Sequence, residues 1–405
     1  MNAPALPPTA AAAPAPAAEP TEPAVAATPQ GPGGLVRWGV AASTARTLAS
    51  AGPRLERGEA ARIVEEIRAA ANASVEHVHR ITGLAAAREL RDSEVLVVDR
   101  AGWATAAVNG FRQMLEPGLK QVLGAKFPQG LPMSLKLGGY GVGAEMGGLV
   151  AFLASHVLGQ YDAFSVSATA PGGRLLLVAP NIVQVERALN VDPADFRLWV
   201  ALHEQTHRVQ FAAAPWLREY LGEQITELTD GLMSLPTSLR ERLTSLTGSV
   251  KRDAEGAPEA QGAESEHDGA GLGLLDLVTG PREKEALSRV TAVMSLLEGH
   301  ANVVMDSVDA SVIPTVKTIR QRFEGRGAER SALQKLIMRV IGMAAKQKQY
   351  QDGARFVRAA VDALGMEGFN VVWQGREMLP SETELHEPTL WVARVGSTKQ
   401  EARMS

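Results

Sequence analysis

The stretch "LWVALHEQTHRVQF", residues 198–211, sets two histidines and a glutamate at one turn's spacing in an apolar, helix-like run. Residues four apart share a helix face. His203 and His207 can therefore aim ring nitrogens at one point about 2 Å away, as a zinc ion requires. Glu204 lies roughly 100° round from His203. It can reach a water held by the metal without ligating the metal, which is the position of a general base. Phe196, Trp199, Val200 and Phe211 extend the histidine stripe, so that stripe is expected to be buried, with Arg197 and Arg208 elsewhere. Histidines on a buried face need partners, either a metal or other core groups. Upstream, Asp192 can cap and Pro193 suits a first helical position. The spacing predicts a helix from there to about Phe211.

A catalytic zinc site usually takes a third protein ligand and keeps one position open. The short form, with a third histidine a few residues on, fails here, because "HEQTHRVQFAA" has no downstream histidine. The best source is "LLEGHANVVMD", residues 296–306, on a predicted helix. Glu298 is the favoured ligand, with His300 and Asp306 as alternatives. His300 lies about 200° from Glu298, so the two cannot both face one metal. Gly299 and Ala301 would let this helix approach the metal helix closely, and Asn302 could hydrogen-bond a ligand histidine.

The rest of the chain frames the site. Its 405 residues suffice for one large domain or two ordinary ones, and 45% hydrophobic content supports a sizeable core. A net charge of -4 does not suggest nucleic-acid or membrane-surface binding. The absence of cysteine excludes disulfides, thiolate metal sites and thiol nucleophiles, and suits a cytoplasmic location. The longest apolar run, "GGLVAFLASHVLG" at 147–159, is short of the roughly 18 residues a membrane span needs and reads as a core helix. Residues 1–34 are Ala/Pro-rich without lysine or arginine, which predicts a disordered tail rather than a secretory signal. Residues 35–405 read as one domain, with a mobile insertion at 251–270. Helices are expected at about 54–82, 102–125, 216–233, 281–307 and 328–365. "EVLVVDR" at 94–100 reads as a strand or helix start and "RLLLVAPNI" at 174–182 as a strand. "NVVWQG" and "LWVARV" in the tail read as short strands or extended wraps. The fold class is α+β, mostly α, with a small sheet.

"HEQTH" followed by the distant "EGHA" resembles the gluzincin pattern, H-E-x-x-H with a later E-x-x-A. More closely, the chain resembles a family of bacterial zincin-like proteins, often labelled zinc-dependent metalloprotease or deazaflavin-coenzyme-biosynthesis-associated. The stretches that carry the likeness are "VLVVDRAGW", "VLGQYD", "LLLVAPNI", "DFRLWVALHEQTHRVQF", "PWLREYL", "LLEGHANVVMD", "IRQRFEGR" and "QYQDGARFV". The resemblance implies a zincin-like fold with a small sheet beside the metal helix. It also implies a Zn2+ cofactor and a peptide or protein substrate. It makes His203, His207 and Glu298 the ligands and Glu204 the base. Four residues after the third ligand gluzincins often carry aspartate; here stands Asn302, which stabilises a developing positive charge less. Gluzincins further imply a strand that pairs with extended substrate, for which "RLLLVAPNI" is the candidate, and an oxyanion donor, for which Tyr350 and Tyr161 are candidates.

Other signals are weaker. "GGYGVGAEMGG" lacks the third glycine of a dinucleotide fingerprint, since Met146 stands there, and reads as a flexible loop. His77 and His79 read as surface residues; His267 and His386 have no metal company.

Overall fold

The two continuous apolar runs become the parallel strands of a small sheet. In a computed structural model describing residues 34–90, 93–234, 280–325 and 347–404, β1 (Ser93–Val98) and β3 (Gly173–Val178) pair in parallel. The short strand β2 (Gly159–Asp162) lies antiparallel on the other side of β3, giving the order β1-β3-β2. Leu96, Val98, Leu176 and Val178 face one helical layer. Val95, Val97 and Leu177 face the other. Strands covered on both faces must be apolar at every position, which is why neither run alternates.

The first layer consists of α1 (Trp38–Leu48), α3 (Arg100–Lys126) and α4 (Met133–Leu153). The second, larger core joins α2 (Arg57–Thr82), α5 (Ala179–Leu189), α6 (Pro193–Ala213) and α7 (Leu217–Ser234). To it are added α8 (Pro281–Asp306), α9 (Val316–Gly325), α10 (Gln347–Phe369), α11 (Glu382–His386) and α12 (Pro388–Met404). Local chemistry sets several boundaries. The Asp99 carboxylate accepts from the Gly102 N–H at 2.6 Å to start α3, and Asp192 accepts from the Asp195 N–H at 3.0 Å to start α6. Gly83, at φ +69°, ends α2 in a left-handed turn.

Three expectations need correction. The glycine run read as a loop is helical, within α4. Gly139, Gly143 and Gly147 fall four apart, on one stripe facing α1 and the residues that lead into it. A Cβ at Gly143 would stand 2.6 Å from the Arg37 carbonyl oxygen, and one at Gly147 2.6 Å from that of Ala41. Close backbone packing offsets the roughly 1 kcal/mol that each helical glycine costs. "RLLLVAPNI" is a strand only to Val178; Ala179 and Pro180 open α5, with proline in the first turn. The tail contains no strand among the described residues. Asn370–Trp373 is a 3-10 turn, and "LWVARV" lies in α12, where Trp391 and Val395, four apart, are buried. The tail at 1–33 and the insertion at 251–270 lie outside the described residues, as do His267 and residues 326–346 of the expected 328–365 helix.

Helix α6 is buried on most of its circumference. Phe196, Val200, Leu202 and Val209 are buried as a core stripe should be. Arg197 and Arg208 are buried too, so the off-stripe faces are not solvent faces. Arg197 makes a two-pronged bond to Glu186 of α5, at 3.0 and 2.7 Å, and a further bond to Glu66 of α2. Arg208 donates to the Ser93 hydroxyl at 2.6 Å and to the carbonyls of Leu90 and Ser93 at 2.6 and 2.8 Å. One end of the helix is thus fastened to α2 and α5, the other to the start of β1.

Candidate metal centre

His203 and His207 occupy the more open sector of α6. Their side chains are 20% and 12% exposed, against 7% for Arg197. The buried stripe expected for the histidines therefore ends short of them, and they face outward toward α8. Glu298 meets them there, its side chain 35% exposed. Its carboxylate oxygens lie 3.9 Å from His203 Nε2 and 3.6 Å from His207 Nε2. One donor atom from each of the three residues fits within a 4.8 Å span, and no other group of three or more among the described residues does so. Two imidazole nitrogens and one carboxylate oxygen form a donor set that suits a divalent metal ion such as zinc.

The tautomer of His207 is fixed from behind. Its Nδ1–H donates to Gln210 Oε1 at 3.0 Å, leaving the Nε2 lone pair for the site. The Gln210 amide in turn donates to the Leu297 carbonyl and to His300 Nδ1, both at 2.9 Å. His300 accepts in that bond, so its proton sits on Nε2 and the ring is neutral. Burial, with a smaller contribution from nearby His207, lowers its pKa to about 3. Helix α8 thus meets α6 through Glu298 and through the Leu297–His300 pair, both held by Gln210. One signal could have found Gln210: it stands three residues after His207, on the same face.

This arrangement revises several expectations. Gln210, not Asn302, hydrogen-bonds His207. Gly299 does face a helix crossing, but that crossing is with Gly353 of α10 rather than with α6. His300 is turned into the core, stacked near Phe369 and edge-on to Trp373. Asp306 lies two turns beyond Glu298, paired with Arg358. Tyr161 donates its hydroxyl to the Gly172 carbonyl and packs on Phe211. Tyr350 lies in the first turn of α10, and its side chain is outside the described residues. His386 pairs with Asp352 at 2.9 Å. His77 and His79 lie on α2 beside Arg80 and Arg88.

Glu204 stands next to the two histidines in sequence but is nearly buried. Burial raises its pKa to about 7; His207 opposes the shift and Glu298 adds to it. The strand β2 closes over it. A Cβ on Gly159 would stand 2.6 Å from Glu204 Cγ, so only glycine lets the strand lie this close. The sheet edge at the site is therefore β2. The strand expected for that place, β3, is central and has both edges taken.

No helix among the described residues is long and apolar enough to cross a membrane. No curated protein matches the chain. Among solved structures, it is similar to a protein from Chloroflexus aurantiacus, named provisionally as a hydrolase with a novel fold. The two share 28% identity with a TM-score of 0.61, covering 89% of this chain and 99% of that one. The family model described as zincin-like metallopeptidase matches residues 36–392. That span includes both helices that carry the candidate centre, α6 and α8, and the chain belongs to the zincin-like metallopeptidase family.

Proposed function

We propose that this chain is a zinc-dependent metallopeptidase of the gluzincin type. The observation that carries the reading is the convergence of His203, His207 and Glu298 within 4.8 Å, with Glu204 beside them. Three protein ligands on a partly open face leave room for substrate, whereas structural zinc sites are closed by four.

His203 and His207 through Nε2, and Glu298 through a carboxylate oxygen, would hold the ion. When bound, zinc supplies a Lewis acid for the scissile carbonyl and acidifies water. Glu204 takes the proton of the attacking water on its carboxylate and passes it to the leaving amine. Its burial supports this role, because a carboxyl lifted from its ordinary range keeps a proton long enough to deliver it. Gln210 keeps the His207 proton on Nδ1. The outer edge of β2, which has no strand beside it among the described residues, is the surface on which an extended peptide can add backbone hydrogen bonds.

Elemental mass spectrometry on purified protein tests the ligand set. Wild type should carry about one zinc per chain, and His207→Ala and Glu298→Ala should lose it. Glu204→Gln should keep the zinc and lose cleavage of a peptide library. Zinc retained in Glu298→Ala would remove that residue from the ligand set. Unchanged cleavage by Glu204→Gln would remove the proposed base.

A further inference from the structure

Helices α3 and α7 part to leave an open cavity of about 780 Å³. The crossing below it is tight, with Gly118 of α3 set against Thr226 of α7. Phe164, two residues beyond β2, lines the cavity together with Arg218 in the first turn of α7. Strand β2 connects the candidate site to this cavity. β2 starts at Gly159 against Glu204, and its Tyr161 ring packs 5.5 Å from that of Phe211, two turns along α6. Phe164 is five residues past Gly159, so at most about 18 Å of chain separates it from the Glu204 contact. An extended peptide on the β2 edge covers that distance in five or six residues.

Arg218 is the one cationic side chain among the residues that line this cavity. Its Nε is buried without a hydrogen-bond partner. No ion pair joins it to any carboxylate among the described residues. The cavity's own acids do not answer it. Glu223 lies 3.3 Å from Arg376 and Glu227 3.8 Å from Arg289, both on other elements. Glu219 and Asp230 are exposed residues, and Glu219, adjacent in sequence, projects about 100° away on the helix. A buried N–H is costly unless it meets an acceptor, and the planar fork of a half-buried arginine matches a carboxylate.

We infer that Arg218 is a specificity determinant that binds a carboxylate side chain of the peptide substrate, about four to six residues from the cut bond. This rests on the peptidase reading above. The test compares cleavage of zinc-loaded protein on peptides carrying Glu or its neutral isostere Gln at each position within six residues of the cut. The proteins are wild type, Arg218→Ala and Arg218→Glu, with cut sites read by mass spectrometry. At one position wild type should prefer Glu over Gln by about ten- to a hundredfold, the worth of a charge-assisted hydrogen bond. The ratio should fall to about one in Arg218→Ala. In Arg218→Glu the same position should favour Lys over Gln, a gain that a misfolded variant could not show. Cleavage by wild type without a Glu preference overturns the inference and leaves the peptidase reading standing. So does a preference that persists in both variants. Failure of wild type to cut any peptide overturns both.

Discussion

Replacing Gly299 with alanine adds one methyl at the crossing of α8 and α10. The new Cβ would lie 2.3 Å from the Gly353 carbonyl carbon and 2.4 Å from its oxygen. Both are backbone atoms, so no rotamer change relieves the contact. Carbon atoms rest about 3.5–4.0 Å apart, so the two helices must separate by roughly 1 Å. Overpacking of this kind costs about 1–3 kcal/mol, and a backbone clash belongs at the upper end. Alanine returns about 1 kcal/mol in helix propensity. The net loss is about 2 kcal/mol, or a fall of roughly 4 °C in Tm at the low end of the usual conversion for larger domains. Glu298 is the neighbouring residue, and a displacement near 1 Å takes its carboxylate out of register with the histidines. Thermal melting followed by circular dichroism reads the first effect. Zinc competition against a chelating dye reads the second, with affinity expected to drop tenfold or more. A Gly299→Ala protein that melts at or above wild type and binds zinc equally well would refute the requirement for this close crossing.

Two further perturbations probe the framework of α6. Gln210→Leu removes the bonds to His207 and His300 together, and zinc affinity should fall by about 10–100-fold, the usual effect of losing a histidine's supporting partner; unchanged affinity in the dye competition would show that Gln210 only fills space. Arg197→Met leaves the Glu186 carboxylate, 4% exposed, without its partner, and should cost about 3–5 kcal/mol in urea unfolding. A loss under 1 kcal/mol would mean that Glu186 finds water or another donor.

The site was more legible than its surroundings. The i, i+4 histidines, the capping Asp192 and the Pro193 start are local features, and local rules sufficed for them. Glu298 could be chosen because apolar residues flank it on a helix of clear periodicity. What stayed hidden depended on tertiary contact. The stripe of Gly139, Gly143 and Gly147 looks like a loop until a second backbone lies against it. Arg197 and Arg208 look solvated because the carboxylate and carbonyls that meet them come from distant segments, at Glu186, Leu90 and Ser93. "LWVARV" has strand-forming residues, yet Trp391 and Val395 are spaced to bury one helical face, and packing decided between the two readings.

The two guanidinium anchors of α6 have a consequence for how the centre acquires its ion. Arg197 fixes one end of the helix and Arg208 the other, so its axial rotation is set by protein–protein bonds alone. The helix rotation that presents His203 and His207 toward α8 thus does not depend on an ion, so chelation of a metal held there would not melt the chain as it does a zinc finger. Metal uptake in such a framework would be a filling of prepared donors, separate from folding, and stripping the protein with a chelator is expected to leave its helical circular dichroism unchanged.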